Sequence, residues 1–108
     1  MTSAARLTSG FLLFPLLLSA QFRAAIEGVV SDSSGGSVPA ATVTLNNNET
    51  QRSQKVQTSS DGFYRFSGLP PGTYTLTAEK PGFRRQSMTS LRINAEEVQG
   101  QNLTLTPG

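Results

Sequence analysis

The stretch that decides the fold class is residues 61–76, DGFYRFSGLPPGTYTL. It holds two segments, 63–66 and 73–76, in which aromatic or aliphatic residues alternate with polar ones. Such alternation is typical of strands with one buried face. Turn-forming residues bound the segments, with Ser59-Ser60-Asp61-Gly62 before the first and Leu69-Pro70-Pro71-Gly72 between the two. The pattern predicts a β-domain, and the turn at 59–62 is the strongest hairpin signal in the chain.

Short alternating runs separated by turn residues continue on both sides of this stretch. Because no apolar run follows helical spacing far enough to form a helix, we predict an all-β fold. Arg52–Thr58 is polar apart from Val56 and is expected at a sheet edge, whereas the polar stretch Asn94–Asn102 is expected to be a connection. Many short strands favour a two-sheet sandwich over a closed barrel. The seven predicted strands are 25–30, 41–46, 52–58, 63–66, 73–79, 91–93 and 103–105.

The apolar positions of these strands define a predicted core. We expect Tyr74 to place its ring in that core and its hydroxyl on a loop carbonyl, as in the tyrosine corner of sandwich folds. Gly72 is expected at a turn position that other residues resist, and Phe83 is expected to fold back onto the sheet. The predicted core consists of Ile26, Val30, Val43, Leu45, Val56, Tyr64, Phe66, Leu69, Tyr74, Leu76, Phe83, Ile93, Leu103 and Leu105.

The first twenty residues have the pattern of an export signal. Arg6 provides a positive start, residues 11–18 are apolar around Pro15, and Ser19-Ala20 supplies small residues for a signal peptidase. A transmembrane anchor needs about twenty apolar residues, and this run is much shorter. We therefore expect a signal peptide at 1–20, a single exported domain at 21–108 and no transmembrane span.

Composition excludes several kinds of chemistry. The chain has no histidine and no cysteine, which removes thiol nucleophiles, imidazole-dependent triads and ordinary zinc sites. The acidic pair Glu96-Glu97 is expected to be solvated, because adjacent strand residues face opposite ways. Asp61 is expected to bond backbone amides of its own turn, since a calcium site shared with Asp32 would lack the several oxygens this ion requires. We expect no enzymatic activity and no cofactor.

Charge argues against nucleic acid as a partner. Once Arg6 is removed with the signal, eight basic residues face seven acidic ones, which is too even a balance for a phosphate-binding surface. The local basic concentration consists of Arg84, Arg85 and Arg92. It is either a docking surface for an acidic partner or lipid head group, or a solvated strand face. Aromatic residues that could contact a sugar are Phe63, Phe22 and Phe83.

Residues 61–76, followed by Pro81-Gly82-Phe83, resemble the carboxypeptidase regulatory-like domain. The segments IEGVVSD at 26–32 and VPAATV at 38–43 are similar to the first strand, loop and second strand of that family. The resemblance spans residues 25 to about 85. The motif residues that carry it, and that we interpret as structural, are Asp61, Gly62, Tyr64, Phe66, Leu69, Pro71, Gly72, Tyr74, Pro81, Gly82 and Phe83.

The resemblance implies a seven-stranded antiparallel sandwich of immunoglobulin-like or prealbumin-like type, related to carbohydrate-binding-like folds. Such domains accompany metallocarboxypeptidases, and they follow the signal peptide in outer-membrane proteins similar to TonB-dependent receptors. We therefore expect a non-catalytic interaction or scaffold module of the periplasm, outer membrane or cell surface. Phe63, Arg84, Arg85 and Arg92 are the candidates for its partner surface. The partner would be a protein that docks on an exposed edge strand, and the alternative is a carbohydrate.

Overall fold

Alternating apolar and polar residues form eight β-strands in the computed structural model, which describes residues 22–108. The all-β fold class is confirmed, and the described residues contain no helix. The predicted signal peptide at 1–20 lies outside the described residues. The strands are β1 (Ala24–Asp32), β2 (Thr42–Asn47), β3 (Ser53–Gln57), β4 (Phe63–Leu69), β5 (Gly72–Glu79), β6 (Gln86–Ile93), β7 (Val98–Gly100) and β8 (Leu103–Leu105).

These strands form two sheets of four, packed as a sandwich. In the first sheet β1 lies between β4 on one side and β7 and β8 on the other, and the second sheet has the order β3-β2-β5-β6. The inward-facing side chains of both sheets form one apolar core. The predicted core is confirmed, except that Val56 and Phe83 are only partly buried and pack against it. The predicted core lacks the buried residues Ala24, Ala25, Val38, Ala41, Ala78 and Leu91.

The predicted strand count and pairing need correction. Residues 22–108 form eight strands rather than seven, because β7 lies within the polar stretch Asn94–Asn102, for which the sequence predicts a connection. Its one apolar residue, Val98, is 55% exposed, so β7 has no alternation to detect. The sandwich is also not purely antiparallel, since β7 and β8 both pair with β1 in parallel. The strand predicted at 91–93 begins earlier, at Gln86. The sequence does not reveal this extension, because most of its side chains are polar and exposed.

The turn at 59–62 does not join a hairpin. β3 pairs with β2, whereas β4 pairs with β1, so this turn carries the chain from the second sheet to the first. Gly62 has a positive φ of 77°, and a Cβ atom added there would lie 2.5 Å from the carbonyl oxygen of Val30. The turn therefore passes so close to β1 that only glycine fits.

The expectation for Gly72 is also wrong. Gly72 is the first residue of β5 and pairs with Ile93 in extended conformation. The positive φ in this region belongs to Gly68, at 66°, where the register between β1 and β4 shifts. β4 ends at Leu69, just after this bulge, and Pro70-Pro71 connects it to β5 of the second sheet.

The two termini of the described chain lie at opposite ends of the sandwich. Ala24 at the start of β1 is next to Leu69, and Asp32 at the end of β1 is next to Leu105 of β8. After β8, residues 106–108 cross to the β5–β6 loop and form what we call the C-terminal clamp. The amide of Arg84 donates to the Thr106 carbonyl at 2.7 Å, and the amide of Gly108 donates to the Gly82 carbonyl at 3.1 Å. The clamp therefore ties the last strand of one sheet to a loop of the other.

Candidate functional site

The outer edge of β3 is regular and exposed. The β2–β3 pairing has no register shift, and it continues outside the two strands, where the amide of Thr58 donates to the Ala41 carbonyl at 2.9 Å. Because alternate residues of an antiparallel pair bond to the neighbouring strand, the amides and carbonyls of Ser53, Lys55 and Gln57 face away from the sheet. These groups can accept another strand.

The other long edge strands are interrupted. In β6 the register against β5 shifts between Tyr74 and Leu76, and Ser90 has a positive φ of 58°. In β4 the bulge at Gly68 has the same effect. Bulges of this kind blunt an edge against strand pairing. Of the long edge strands in residues 22–108, β3 alone presents a continuous edge.

A cleft of about 440 Å³ lies beside this edge. We call it the cationic cleft, because three of its residues are basic and one is acidic. Thr42 and Glu79 are direct cross-strand partners. Lys55 lies opposite Thr44, which is the next residue after Thr42 on the same outer face of β2. The β5–β6 loop completes the cleft. The lining residues are Thr42, Lys55, Glu79, Lys80, Pro81, Phe83 and Arg85.

Neighbouring segments hold this cleft in place. The ammonium of Lys80 donates a hydrogen bond to the carbonyl of Pro39 in the β1–β2 loop, and the amide of Phe83 donates to the Lys80 carbonyl at 3.0 Å. Phe83 also forms an isolated bridge with Pro107 of the C-terminal clamp. The β5–β6 loop, which carries four of the lining side chains, is therefore fixed from both sides.

The predicted partner surface is not a single surface. Phe63 is 42% exposed on the outer face of the first sheet, opposite the exposed Val29, whereas Arg85 lines the cationic cleft of the second sheet. Arg92 is exposed on β6 opposite Thr73. Arg84 adjoins the C-terminal clamp through its amide and does not line the cleft. The sequence identified Arg85 and Phe83 but did not connect them with Thr42, Lys55 and Glu79, because these three come from three different strands.

Two motif tyrosines act as anchors. The hydroxyl of Tyr74 donates to the Pro70 carbonyl at 2.7 Å while the ring is buried, which confirms the tyrosine-corner expectation. The hydroxyl of Tyr64 donates to the carbonyl of Gln101. Burial raises the pKa of the Tyr64 hydroxyl strongly, and burial is also the main reason that the pKa of Tyr74 is raised. Both groups are therefore neutral donors with structural roles.

The hydrogen bond from the Tyr64 hydroxyl to Gln101 passes β1 at Gly28. Tyr64 lies directly opposite Gly28, and a Cβ atom on Gly28 would lie 2.0 Å from the carbonyl oxygen of Gln101. The amide of Gln101 donates to the Glu27 carbonyl at 2.8 Å, and the side-chain oxygen of Asn102 accepts from the Val29 amide at 2.9 Å. These contacts fill the break between β7 and β8.

The role predicted for Asp61 belongs to other residues. The amides of Asp61 and Phe63 both donate to the hydroxyl oxygen of Ser59, at 3.2 Å in each case. Asp32 does bind its own turn, because its carboxylate accepts from the Ser34 hydroxyl at 2.6 Å and from two backbone amides. The hydrogen bond from Ser34 is the main cause that lowers the pKa of Asp32. Asp32 therefore supports a loop.

The described residues hold no group of three or more acidic side chains that could bind a metal ion. Glu97 accepts a hydrogen bond from the side-chain amide of Asn94 at 3.0 Å, and Glu96 is exposed, as expected for a solvated pair. No helix in residues 22–108 is long and apolar enough to cross a membrane. The arrangement offers binding surfaces, which are the β3 edge and the cationic cleft.

Comparison with known proteins gives one family and one curated relative. The family described as carboxypeptidase regulatory-like domain matches residues 25–106. The TonB-dependent transporter Oar of Myxococcus xanthus is 30% identical over 96 residues, which cover 89% of this chain and 9% of the transporter. The chain therefore spans a small part of the length of that relative.

Solved structures share the fold at low sequence identity. The Bacillus anthracis TIE protein is 17% identical with a TM-score of 0.67, over 80% of this chain and 17% of its own. A Bacteroides uniformis protein provisionally described as carbohydrate-binding is 18% identical with a TM-score of 0.64, over 78% of this chain and 41% of its own. The 3-chlorocatechol 1,2-dioxygenase of Rhodococcus opacus is 10% identical with a TM-score of 0.62, over 81% of this chain and 61% of its own. Because one scaffold occurs in such different proteins, the fold does not decide the function.

Proposed function

Because this chain belongs to the carboxypeptidase regulatory-like domain family, we propose that it is an exported, non-catalytic interaction module whose partner protein adds a strand to β3. The observation that carries this proposal is the continuous β3 edge, with the outward-facing backbone groups of Ser53, Lys55 and Gln57. Strand addition obtains its affinity from such main-chain hydrogen bonds.

The partner is a different protein rather than a second copy of this chain. Antiparallel self-pairing centred on β3 would place Lys55 opposite Lys55, and like charges directly opposite each other are unfavourable. An acidic or neutral residue of a partner strand would pair well at the same position. Lys55 therefore selects against self-association while leaving the edge open.

The setting of the module is the outer membrane or periplasm. Similarity to a TonB-dependent transporter supports this setting, as does the export signal predicted at residues 1–20. Within the proposal, residues 21–108 are the mature domain of an outer-membrane assembly. N-terminal sequencing of the protein recovered from the cell envelope tests the processing step, and a first residue at or near Gln21 is the expected result.

Strand addition is tested by photo-crosslinking in the native cell envelope. A photoreactive amino acid that replaces Ser53 should give one discrete adduct, because its backbone faces the partner strand. Gln57→Pro should abolish the adduct, since proline removes an outward amide without breaking a bond to β2. Gln57→Ala, which keeps the amide, should retain it. An adduct that survives in a folded Gln57→Pro protein would rule out strand addition at this edge.

A second candidate function is carbohydrate binding, at the cationic cleft. The observation that favours it is the cleft's combination of an aromatic side chain, Phe83, with hydroxyl and charged side chains. The structural similarity to a protein provisionally described as carbohydrate-binding is consistent with it. Phe63 and Phe22 are exposed, but they do not line this cleft. Calorimetric titration with neutral and acidic oligosaccharides tests this function separately from strand addition.

A further inference from the structure

The cationic cleft contains basic side chains that have no acidic partner in the described part of the chain. Residues 22–108 contain one ion pair, between Arg65 and Glu27 on the outer face of the first sheet. Lys80 is engaged with the Pro39 carbonyl, which leaves Lys55 and Arg85 available to a ligand. Arginine and lysine bind carboxylates through short, charge-assisted hydrogen bonds. These two side chains favour a ligand that carries negative charge.

The cleft also has apolar lining residues. Pro81 and Phe83 line it, and Phe83 is fixed between the core and the C-terminal clamp. The face of an aromatic ring carries partial negative charge and attracts weakly positive C–H groups. A small inorganic anion cannot use such a wall, whereas the C–H face of a sugar ring can.

Glu79 and Thr42 limit the ligand further. They lie side by side as cross-strand partners and provide a carboxylate and a hydroxyl, both of which accept hydrogen bonds from ligand hydroxyls. A polyacidic peptide would meet repulsion from Glu79. A ligand with many hydroxyl groups and one carboxylate for each ring satisfies both the acidic and the basic side chains.

We propose that the cationic cleft binds a carboxylate-bearing sugar, such as a uronic-acid residue of an acidic polysaccharide. The carboxylate pairs with Arg85 and Lys55, the ring packs on Phe83, and the hydroxyl groups donate to Glu79. The cleft volume of about 440 Å³ lies within the range of ligand sites, about 300–1,000 Å³. This inference rests on the carbohydrate-binding function proposed above and adds the class of sugar.

The test is calorimetric titration of the purified chain with trigalacturonic acid and with its methyl ester. The ester has the same rings without the charge, so the acid should bind at least about tenfold more tightly. Equal binding of acid and ester would overturn the acidic specificity while leaving carbohydrate binding intact. Absence of binding to either would overturn both. A glutamate hexapeptide that bound as tightly as the acid would show a peptide site instead.

Two neighbouring arginines provide a matched pair of variants. Arg85→Gln should lower the affinity for trigalacturonic acid at least about tenfold, because it removes a charge-assisted contact. Arg84→Gln removes the same charge one residue away but outside the cleft, and it should change the affinity less than about twofold. Equal losses in the two variants would mean diffuse attraction by net charge, and that result would overturn the site. Circular dichroism spectra of both variants check that the sandwich is intact.

Discussion

Single residues decide where the backbones of this small sandwich can meet. Gly28 is the clearest case, because β1 passes the carbonyl of Gln101 at a distance that leaves no room for a side chain. Tyr64 lies opposite this glycine and bonds the same carbonyl. Gly28 therefore leaves room for the Gln101 backbone, and the hydroxyl of Tyr64 bonds the carbonyl that occupies this space.

Gly28→Ala should be strongly destabilising. The added Cβ would meet the backbone of Gln101, which cannot move aside as a flexible side chain could, and overpacking of this kind costs about 1–3 kcal/mol, occasionally more. We expect a loss at the upper end, measured by urea unfolding. Gly100→Ala is the control, because nothing lies within 4 Å of its added Cβ, and it should change stability little. Similar losses in both variants would contradict the close approach.

Asp32 should make stability depend on acid pH. Hydrogen bonds from Ser34 and from the turn amides lower its pKa below the ordinary value of 3.8, so the ionised carboxylate favours the folded state. This contribution is present above the ordinary value and is lost as the pH falls through the lowered pKa. The difference in unfolding free energy between the native chain and Asp32→Ala should therefore shrink on acidification. A difference that stayed constant from neutral pH to pH 2 would contradict this role.

The two edge strands of the second sheet differ in regularity. β6 carries an extra residue, and Ser90 adopts a positive φ that non-glycine residues enter at a cost. β3 runs without interruption and relies on exposed charged and polar side chains. The fold thus leaves one edge suited to pairing and makes another unsuitable.

Ser90→Gly should be neutral or stabilising, by up to about 1 kcal/mol, because glycine enters the left-handed region without strain. The same change at Ser87, which has no positive φ, should cost about 0.5–1 kcal/mol, plus its hydrogen bond with Thr77. Thermal unfolding of the two variants measures the contrast. Equal destabilisation by both substitutions would show that the bulge is not strained.

The strands that could be predicted from the sequence are those with one buried face. Strands such as β2 and β5 alternate because one face packs in the core, and the residues that turn the chain are visible as glycine and proline. β7 bears no buried apolar side chain and could not be recognised. Its parallel pairing with β1 joins residues far apart in the chain, and no local pattern encodes such a contact.

The candidate site was predictable only in part for a related reason. Arg85 and Phe83 stand close together in the sequence and can be identified from it, but Thr42, Lys55 and Glu79 become neighbours only through strand register. Once the strands are aligned, these three fall on one outer face. A correct topology would have assembled the cleft, whereas the incorrect 59–62 hairpin would have paired β3 with β4.

The stability of the sandwich depends in part on the contacts that tie its two sheets together. The chain has no cysteine, so no disulfide links them. The C-terminal clamp takes this role through backbone hydrogen bonds to the β5–β6 loop. It also supports the cationic cleft, because Phe83 bridges to Pro107.

Deleting residues 106–108 should therefore lower the stability of the domain and also loosen the position of Phe83 in the cationic cleft. The loss of two backbone hydrogen bonds at about 0.5–1.5 kcal/mol each corresponds to a fall in Tm of several degrees for a domain of this size. Thr106→Ala retains the backbone groups and should leave Tm nearly unchanged. If the deletion left Tm at the native value, the clamp would have no stabilising role.

The parallel pairing of β1 with β8 has a mechanical consequence. These strands are the first and the last of the described chain, and their outer ends point in opposite directions along one axis. A pull on both ends slides β1 past β8 and loads all their hydrogen bonds at once, instead of peeling them apart one by one. The domain should therefore resist tension as a stiff link, yielding abruptly rather than gradually.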